Sequence, residues 1–306
     1  MSRIHDALKR AGQERSRYKG IGIEEAEPPV AGPIPVSAAD AAPGPAIQYV
    51  APTSTLSSPD GMLASCRTIT WRPDTATLLF CGSAEKVQGV EEFRTLRSRL
   101  YQLREKQPLR KLLITSSVHK EGRSFIAANL AQVMTRQPGC RALLIDADLR
   151  NPYLHSALGT FQSPGLAEYL LGEAEESGII QRGQMENLFF IPSGRPVSGQ
   201  TEMLSNGRIK VLLDRLEPLF DWIVIDSPAA MPVSDSGVIA GFCDGVLMVV
   251  RSNATPFDLV RKTLQKFQVE RLAGVVLNGI PVEPHPEIQH YHNTSDHNSS
   301  VTARQQ

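Results

Sequence analysis

The sequence has few cysteines and no long apolar run. Its four cysteines lie far apart and form no C-x-x-C pair, a spacing that favours reduced thiols over a disulfide framework or a zinc site. No stretch of about 18 apolar residues predicts a transmembrane helix. The first 20 residues are too polar for a secretory signal peptide. We therefore expect a cytoplasmic protein.

The sequence also lacks an excess of charge of either sign. Lys and Arg together number 32, as do Asp and Glu, so the formal charges cancel at neutral pH. A balanced chain offers no overall attraction to nucleic acid or to an anionic membrane. Apolar residues make up 41% of the 306 residues, which is ordinary for a globular core. We predict no nucleic-acid partner.

The first 20 residues have the pattern of a short basic amphipathic helix. Ile4, Leu8 and Ala11 share one face, and the stretch contains six Lys or Arg but only two acidic residues. This helix could dock on a partner or lie on a membrane surface. A solvated helix that does neither fits the same pattern, because a helix this short is marginal alone.

Residues 21–60 differ sharply from the rest of the chain. They contain eight prolines and five acids, with no Lys or Arg. Such a composition cannot bury enough apolar surface to offset its ordering entropy. We predict a disordered Pro/Ala-rich linker here, and a flexible polar tail over residues 283–306.

Between residues 80 and 282, short apolar runs alternate with helical patterns. The runs fall at 111–117, 140–150, 222–230, 245–252 and 273–280. Continuous Val, Ile and Leu runs of this length are typical of a parallel sheet that is covered on both faces. The sequence therefore predicts an α/β domain with a doubly wound, mostly parallel sheet and helices on both faces.

The stretch "TSSVHKEGRSF" at 115–125 resembles a phosphate-binding loop between a strand and a helix. Gly122 and Ser124 occupy the positions of the last glycine and of the hydroxyl residue that binds Mg²⁺. Two positions depart from the motif, because Ser117 replaces its first glycine and Arg123 replaces its lysine. The loop alone is therefore weak evidence for a nucleotide site.

Three aspartates strengthen that evidence. Asp146 and Asp148 end the second apolar run, and Asp226 ends the third. Ligands of parallel sheets bind at the carboxyl ends of the strands. Carboxylates there could position Mg²⁺ and activate a hydroxyl nucleophile, although solvated turn residues are the simpler interpretation of any single aspartate.

Seven segments in order resemble the bacterial tyrosine kinases of capsule and exopolysaccharide biosynthesis, of the CpsD/CapB-like type. They are "EEFRTLRSRL", "ITSSVHKEGRSFIAANLA", "ALLIDADLRNPYLHSALG", "LFFIPSGRPVSGQTEML", "DWIVIDSP", "VLMVVRSNAT" and "GVVLNGI". They cover residues 85–282, about two thirds of the chain. The resemblance implies a P-loop fold with a deviant, MinD-like Walker A loop, and ATP with Mg²⁺ as cofactors.

The resemblance also implies roles for individual residues. Those that would bind the nucleotide are Ser117, Lys120, Glu121, Gly122, Arg123, Ser124 and Asn278, the last beside the adenine. Those that would bind Mg²⁺ are Ser124, Asp146 and Asp226. Those that would take part in phosphate transfer are Asp146, Asp148 and Arg123.

Partners follow from the same resemblance. Glu91, Arg94 and Arg97 form an E-x-x-R-x-x-R motif through which relatives pack into rings, so a homo-oligomer is expected. A solvated helix face with i, i+3 ion pairs fits these three residues as well. The resemblance further implies a membrane-bound polysaccharide copolymerase or activator as partner, and a location at the inner face of the plasma membrane.

Both the loop that would bind ATP and the tail that would supply the tyrosine acceptor depart from the family pattern. Relatives usually read "PGEGKST" where this chain reads "HKEGRSF". Arg123 keeps the charge but not the compact shape of lysine, and Lys120 replaces a glycine whose backbone would take a positive φ. The tail carries one tyrosine, Tyr291, instead of a cluster.

Three functions therefore remain to be compared. The first is an ATP-dependent tyrosine autokinase that regulates exopolysaccharide synthesis. The second is a scaffold of the same machinery whose kinase activity is weak or lost. The third, a positioning ATPase of the MinD/ParA type, ranks last because Val118 stands where those proteins carry a signature lysine.

Overall fold

The computed structural model describes residues 59–81, 87–231 and 233–281. The predicted basic helix at 1–20, nearly all of the predicted linker at 21–60 and the predicted tail at 283–306 lie outside these residues. Tyr291 lies outside them too.

Eight strands occur within the described residues. They are β1 (Arg67–Thr68), β2 (Lys111–Ser116), β3 (Ala142–Asp146), β4 (Gln181–Arg182), β5 (Leu188–Ile191), β6 (Trp222–Asp226), β7 (Gly245–Arg251) and β8 (Leu272–Asn278). They form one sheet in the order β1-β4-β5-β3-β6-β2-β7-β8. Neighbouring strands are parallel except β4 and β5. The predicted doubly wound, mostly parallel sheet is confirmed.

The described helices separate most of these strands. They are α1 (Pro59–Ala64), α2 (Val87–Arg104), α3 (Arg123–Thr135), α4 (Leu154–Leu158), α5 (Leu166–Leu171), α6 (Glu176–Ile179), α7 (Gln200–Ser205), α8 (Arg208–Leu216), α9 (Asp235–Ala240) and α10 (Phe257–Leu264). Short 3-10 turns at Glu217–Leu219 and Val269–Arg271 precede β6 and β8. None of the helices in the described ranges is both long and apolar enough to cross a bilayer.

The central strands are apolar on both faces, because each face packs under helices. In β2, Leu112 and Ile114 join the core beneath α2 and α3, whereas Leu113 joins the core on the opposite face. Every residue of β2, β3 and β6 is buried. This alternation explains the continuous apolar runs in the sequence.

Residues before the regular pattern also pack on the sheet. Leu63 and Cys66 belong to one core, and Trp71 and Phe80 to the other. Trp71 lies edge-on to Phe190 of β5, with ring centroids 6.4 Å apart. Residues 59–81 are thus part of the packed unit, although the sequence pattern placed the start of the domain near residue 80.

Candidate functional site

The phosphate loop joins the end of β2 to the start of α3. Its backbone is left-handed at two positions, Lys120 (φ 66°) and Gly122 (φ 95°). Gly122 is the N-cap of α3 and, as a glycine, has no side chain to cap the first N–H groups of the helix. The first N–H groups of the helix have no partner within it, so they point toward the loop and could receive an anion.

The side chain of Glu121 ties this loop to the neighbouring strand. Its buried carboxylate accepts hydrogen bonds from the Val118 N–H (2.7 Å) and the Arg251 N–H (3.2 Å), and from the Thr255 hydroxyl. Three protein donors therefore surround Glu121, which the sequence assigned to nucleotide binding. Its side chain fixes the shape of the loop from inside.

Asn278, at the end of β8, touches the same loop. Its Nδ2 donates to the Glu121 carbonyl oxygen at 2.9 Å. A Cβ atom on Gly122 would lie 2.0 Å from that nitrogen, so any larger residue there would displace the Asn278 side chain. Arg251 adds a further bond from its Nη1 to the Lys120 carbonyl oxygen (3.2 Å). The side chain predicted to contact adenine thus bonds to the loop backbone.

Arg123 is almost fully buried, with 7% of its surface exposed. Its Nε donates to the Ser227 carbonyl oxygen (2.8 Å), and its Nη1 donates to the Ser116 hydroxyl (2.7 Å) and the Val118 carbonyl oxygen (3.0 Å). Its Nη2 pairs with Asp148 Oδ2 at 3.2 Å. The guanidinium group therefore lies inside the loop and not on its outer surface.

The three predicted aspartates meet at the same edge of the sheet. Asp146 and Asp226 end adjacent strands in direct register, and Asp148 follows two residues later. All three are buried. Asp146 Oδ2 accepts from the N–H groups of Tyr153 (3.2 Å) and Leu154 (3.1 Å), at the start of α4.

Several oxygen atoms at this edge have no partner within the described residues. They are Asp146 Oδ1, both carboxylate oxygens of Asp226, and the hydroxyl of Ser117. Burial raises the pKa of Asp226 to about 7, against the lowering effects of nearby Arg123 and Ser124. Burial, with Asp226 alongside, raises the pKa of Asp146 well above its usual value. Buried unpaired carboxylates are unfavourable, so the site favours a cation or a donor there.

These oxygens fit Mg²⁺ shared with a nucleotide better than a protein-only metal cage. Within the described ranges, no group of three or more His, Cys, Asp or Glu side chains could hold a metal ion. Mg²⁺ is often held by one or two carboxylates together with substrate phosphates and water. Asp226, Asp146 and the Ser124 hydroxyl have the chemistry for such a site.

An ion-pair cluster beside Asp148 was not predicted from the sequence. Arg150 Nε bonds Asp235 Oδ2 at 2.7 Å, and Arg150 Nη2 bonds the Thr201 hydroxyl at 3.0 Å. Asp235 is 1% exposed. Arg150 lies two residues after Asp148, and this proximity was the sequence signal that could have identified it as a site residue. Its partners Thr201 and Asp235 are distant in the chain, so the cluster itself had no local signal.

The E-x-x-R-x-x-R residues lie on α2, away from the loop in sequence. Glu91 pairs with Arg94 on the exposed face of the helix. Arg97 instead donates from Nη1 to the Val133 carbonyl oxygen (2.9 Å), near the C-terminus of α3. The three residues therefore do not share one surface role, because Arg97 joins α2 to α3.

The sheet and its loop define a P-loop α/β domain. The chain is 30% identical to the tyrosine-protein kinase YwqD of Bacillus subtilis over 203 residues, which cover 66% of this chain and 85% of that protein. The chain belongs to the bacterial tyrosine kinase family of capsule and exopolysaccharide biosynthesis. No family model matches it.

Two further relatives are longer proteins. EpsB of Ralstonia nicotianae is 32% identical over 194 residues, which cover 63% of this chain and 26% of EpsB. The succinoglycan biosynthesis transport protein ExoP of Rhizobium meliloti is 34% identical over 193 residues, 61% of this chain and 24% of ExoP. The chain thus spans about a quarter of the length of either protein.

A solved structure agrees with this assignment. The kinase domain of the Escherichia coli tyrosine kinase ETK superposes with a TM-score of 0.60 at 28% sequence identity, over 64% of this chain and 78% of that domain.

Proposed function

We propose that this chain is a tyrosine-autokinase-like P-loop protein that regulates exopolysaccharide or capsule synthesis and transfers the γ-phosphate of ATP to tyrosine. The observation that carries the proposal is the set of unpartnered buried oxygens on Asp146 and Asp226 beside the phosphate loop. These carboxylates end β3 and β6, and β6 lies beside β2, which leads into the phosphate loop and the N-terminus of α3. Mg²⁺ and phosphates bind at such a strand edge in P-loop proteins.

Each loop residue has a role in this proposal. The N–H groups from Lys120 to Ser124 would hold the phosphates, and the Ser124 hydroxyl with Asp226 would hold Mg²⁺. Asp146 or Asp148 accepts the proton of the tyrosine hydroxyl. Mg²⁺, when bound, would neutralise charge that develops on the phosphates.

The proposed setting is an oligomer that works with a membrane-bound polysaccharide copolymerase or activator at the inner face of the plasma membrane. Support comes from the names of the relatives, of which one is a succinoglycan biosynthesis transport protein. Glu91 and Arg94 are the surface residues of α2 that would contact a second copy.

One observation favours a second candidate, a scaffold that binds nucleotide weakly and does not transfer phosphate. Arg123 pairs with Asp148 inside the loop. In that arrangement the guanidinium group is already paired within the protein, and one of the two candidate proton acceptors is engaged by it.

Incubation with γ-labelled ATP and Mg²⁺, followed by phosphoamino-acid analysis, separates the two candidates. The kinase proposal predicts label on tyrosine, loss of label in Asp146→Asn, and retention in the matched surface control Asp258→Asn, since Asp258 is exposed on α10. ATP retained on the protein without phosphotyrosine would support the scaffold. Neither retention nor label at millimolar ATP would refute both nucleotide-based functions.

A further inference from the structure

The guanidinium group of Arg123 bonds to four separate parts of the site. Arg123 is the first residue of α3, and its partners are Ser116 at the end of β2, Val118 in the loop, Ser227 after β6, and Asp148 after β3. These contacts connect the two ends of the phosphate loop with the carboxyl ends of the two strands beyond it.

Asp148 differs from the other two carboxylates because both its oxygens have protein partners. Oδ1 accepts from the Asn151 N–H at 3.0 Å, and Oδ2 accepts from Arg123 at 3.2 Å. The ion pair is shielded, with side-chain exposures of 7% for Arg123 and 5% for Asp148. A shielded pair of this kind is weakly screened by salt and is strongly unfavourable to break on one side only.

Lysine could not make the same set of contacts. An ammonium group donates from a single nitrogen, whereas the guanidinium group donates from three nitrogens in a fixed plane. Here each of the three nitrogens donates a hydrogen bond, and the acceptors lie at or just after the ends of three different strands. The arginine that departs from the usual loop motif is therefore suited to internal contacts rather than to mobile phosphate oxygens.

We propose that Arg123 is a positioning residue that holds the phosphate loop closed, in the arrangement described above, and keeps Asp148 in an ion pair until a polyphosphate competes for the guanidinium group. The loop-closing half of this proposal stands without any ligand. The competition half rests on the proposed nucleotide binding, because in it a bound polyphosphate takes the place of Asp148 beside Arg123.

Thermal unfolding without nucleotide, in excess EDTA, tests the first half. Arg123→Lys and Asp148→Asn should each lower the Tm by several degrees, and the double variant should lower it by clearly less than their sum, because both remove the same interaction. Additive shifts, or no shift in Arg123→Lys, would overturn the proposal that this pair closes the loop. Asp258→Asn, at an exposed position of α10, is the control and should leave the Tm unchanged.

Titration with inorganic tripolyphosphate in EDTA tests the second half. Asp148→Asn should bind tripolyphosphate about fivefold or more tightly than the wild type, since the guanidinium group no longer has a competing anion. Removal of one negative charge would also favour an anion, so the same change is made in an Arg123→Met background. There the gain should fall below about twofold. Equal gains in tripolyphosphate affinity in the two backgrounds would overturn the proposed competition between Asp148 and the polyphosphate.

The two experiments fail independently. If neither the wild type nor any variant binds tripolyphosphate, the proposed nucleotide site and the competition are refuted, while the unfolding measurements still decide whether the pair closes the loop. If Arg123→Met does not fold, Arg123→Gln replaces it as the background, because it also removes the positive charge but keeps a hydrogen-bonding side chain.

Discussion

At the scale of single residues, the phosphate loop depends on two left-handed positions and several buried charges. The sequence predicts a positive φ at Lys120, because relatives have glycine there, and the structure confirms it at 66°. A non-glycine residue in this region costs about 1 kcal/mol. The contacts of Arg123 could not be predicted, since Asp148 and Ser227 are 25 and 104 positions away in sequence.

Gly122→Ala should destabilise the fold and weaken nucleotide binding. The substitution adds strain at φ 95° and places a Cβ atom 2.0 Å from Asn278 Nδ2, so we expect a loss of about 2–4 kcal/mol in the free energy of unfolding. Denaturant titration measures it.

Gly139→Ala is the matched control for that substitution. Gly139 has φ 75° and open space where its Cβ would lie, so only the strain of about 1–2 kcal/mol applies. Equal losses for the two variants would mean that the Asn278 contact does not matter. Recovery in a Gly122→Ala, Asn278→Ala double variant would support it.

At the scale of elements, the apolar runs predicted at 111–117 and 222–230 contain β2 and β6. Val90, Phe93 and Leu100 of α2 are buried at a spacing that is typical of one face of a helix. β5 was not predicted as a strand, because the four residues of "LFFI" are too short to separate a buried strand from a helix by periodicity. The antiparallel pairing of β4 with β5 has no signal in the local pattern.

The residues of α2 should separate into two classes when substituted. Arg97→Ala should lower the free energy of unfolding by about 1–2 kcal/mol, because it removes a charged donor from a carbonyl in the last turn of α3. Glu91→Ala and Arg94→Ala should change it by less than about 0.5 kcal/mol, since their pair is exposed. Urea unfolding measures all three.

Light scattering on the same variants tests the proposed oligomer interface. Glu91→Ala and Arg94→Ala should shift the protein toward a smaller species, whereas Glu92→Ala, at the next exposed position, should not. An unchanged mass in all three variants would remove α2 from the interface.

At the scale of the whole molecule, the parallel sheet brings distant residues to one edge. The ends of β2, β3 and β6 are adjacent, so the loop and three aspartates that the sequence identified separately form one site. The rule that ligands bind at the carboxyl ends of such strands was therefore enough to predict this grouping. It could not predict which of the carboxylates would be paired, because that depends on packing between elements far apart in the chain.

The proposed nucleotide site depends on Asp226 and the phosphate loop acting on the same ligand. Isothermal titration with ATP and Mg²⁺ tests this directly in the full chain. We predict one site per chain, binding at least about tenfold weaker in Asp226→Asn, and unchanged binding in Asp258→Asn. No binding to the wild type at millimolar ATP, or equal binding to wild type and Asp226→Asn, would contradict the account.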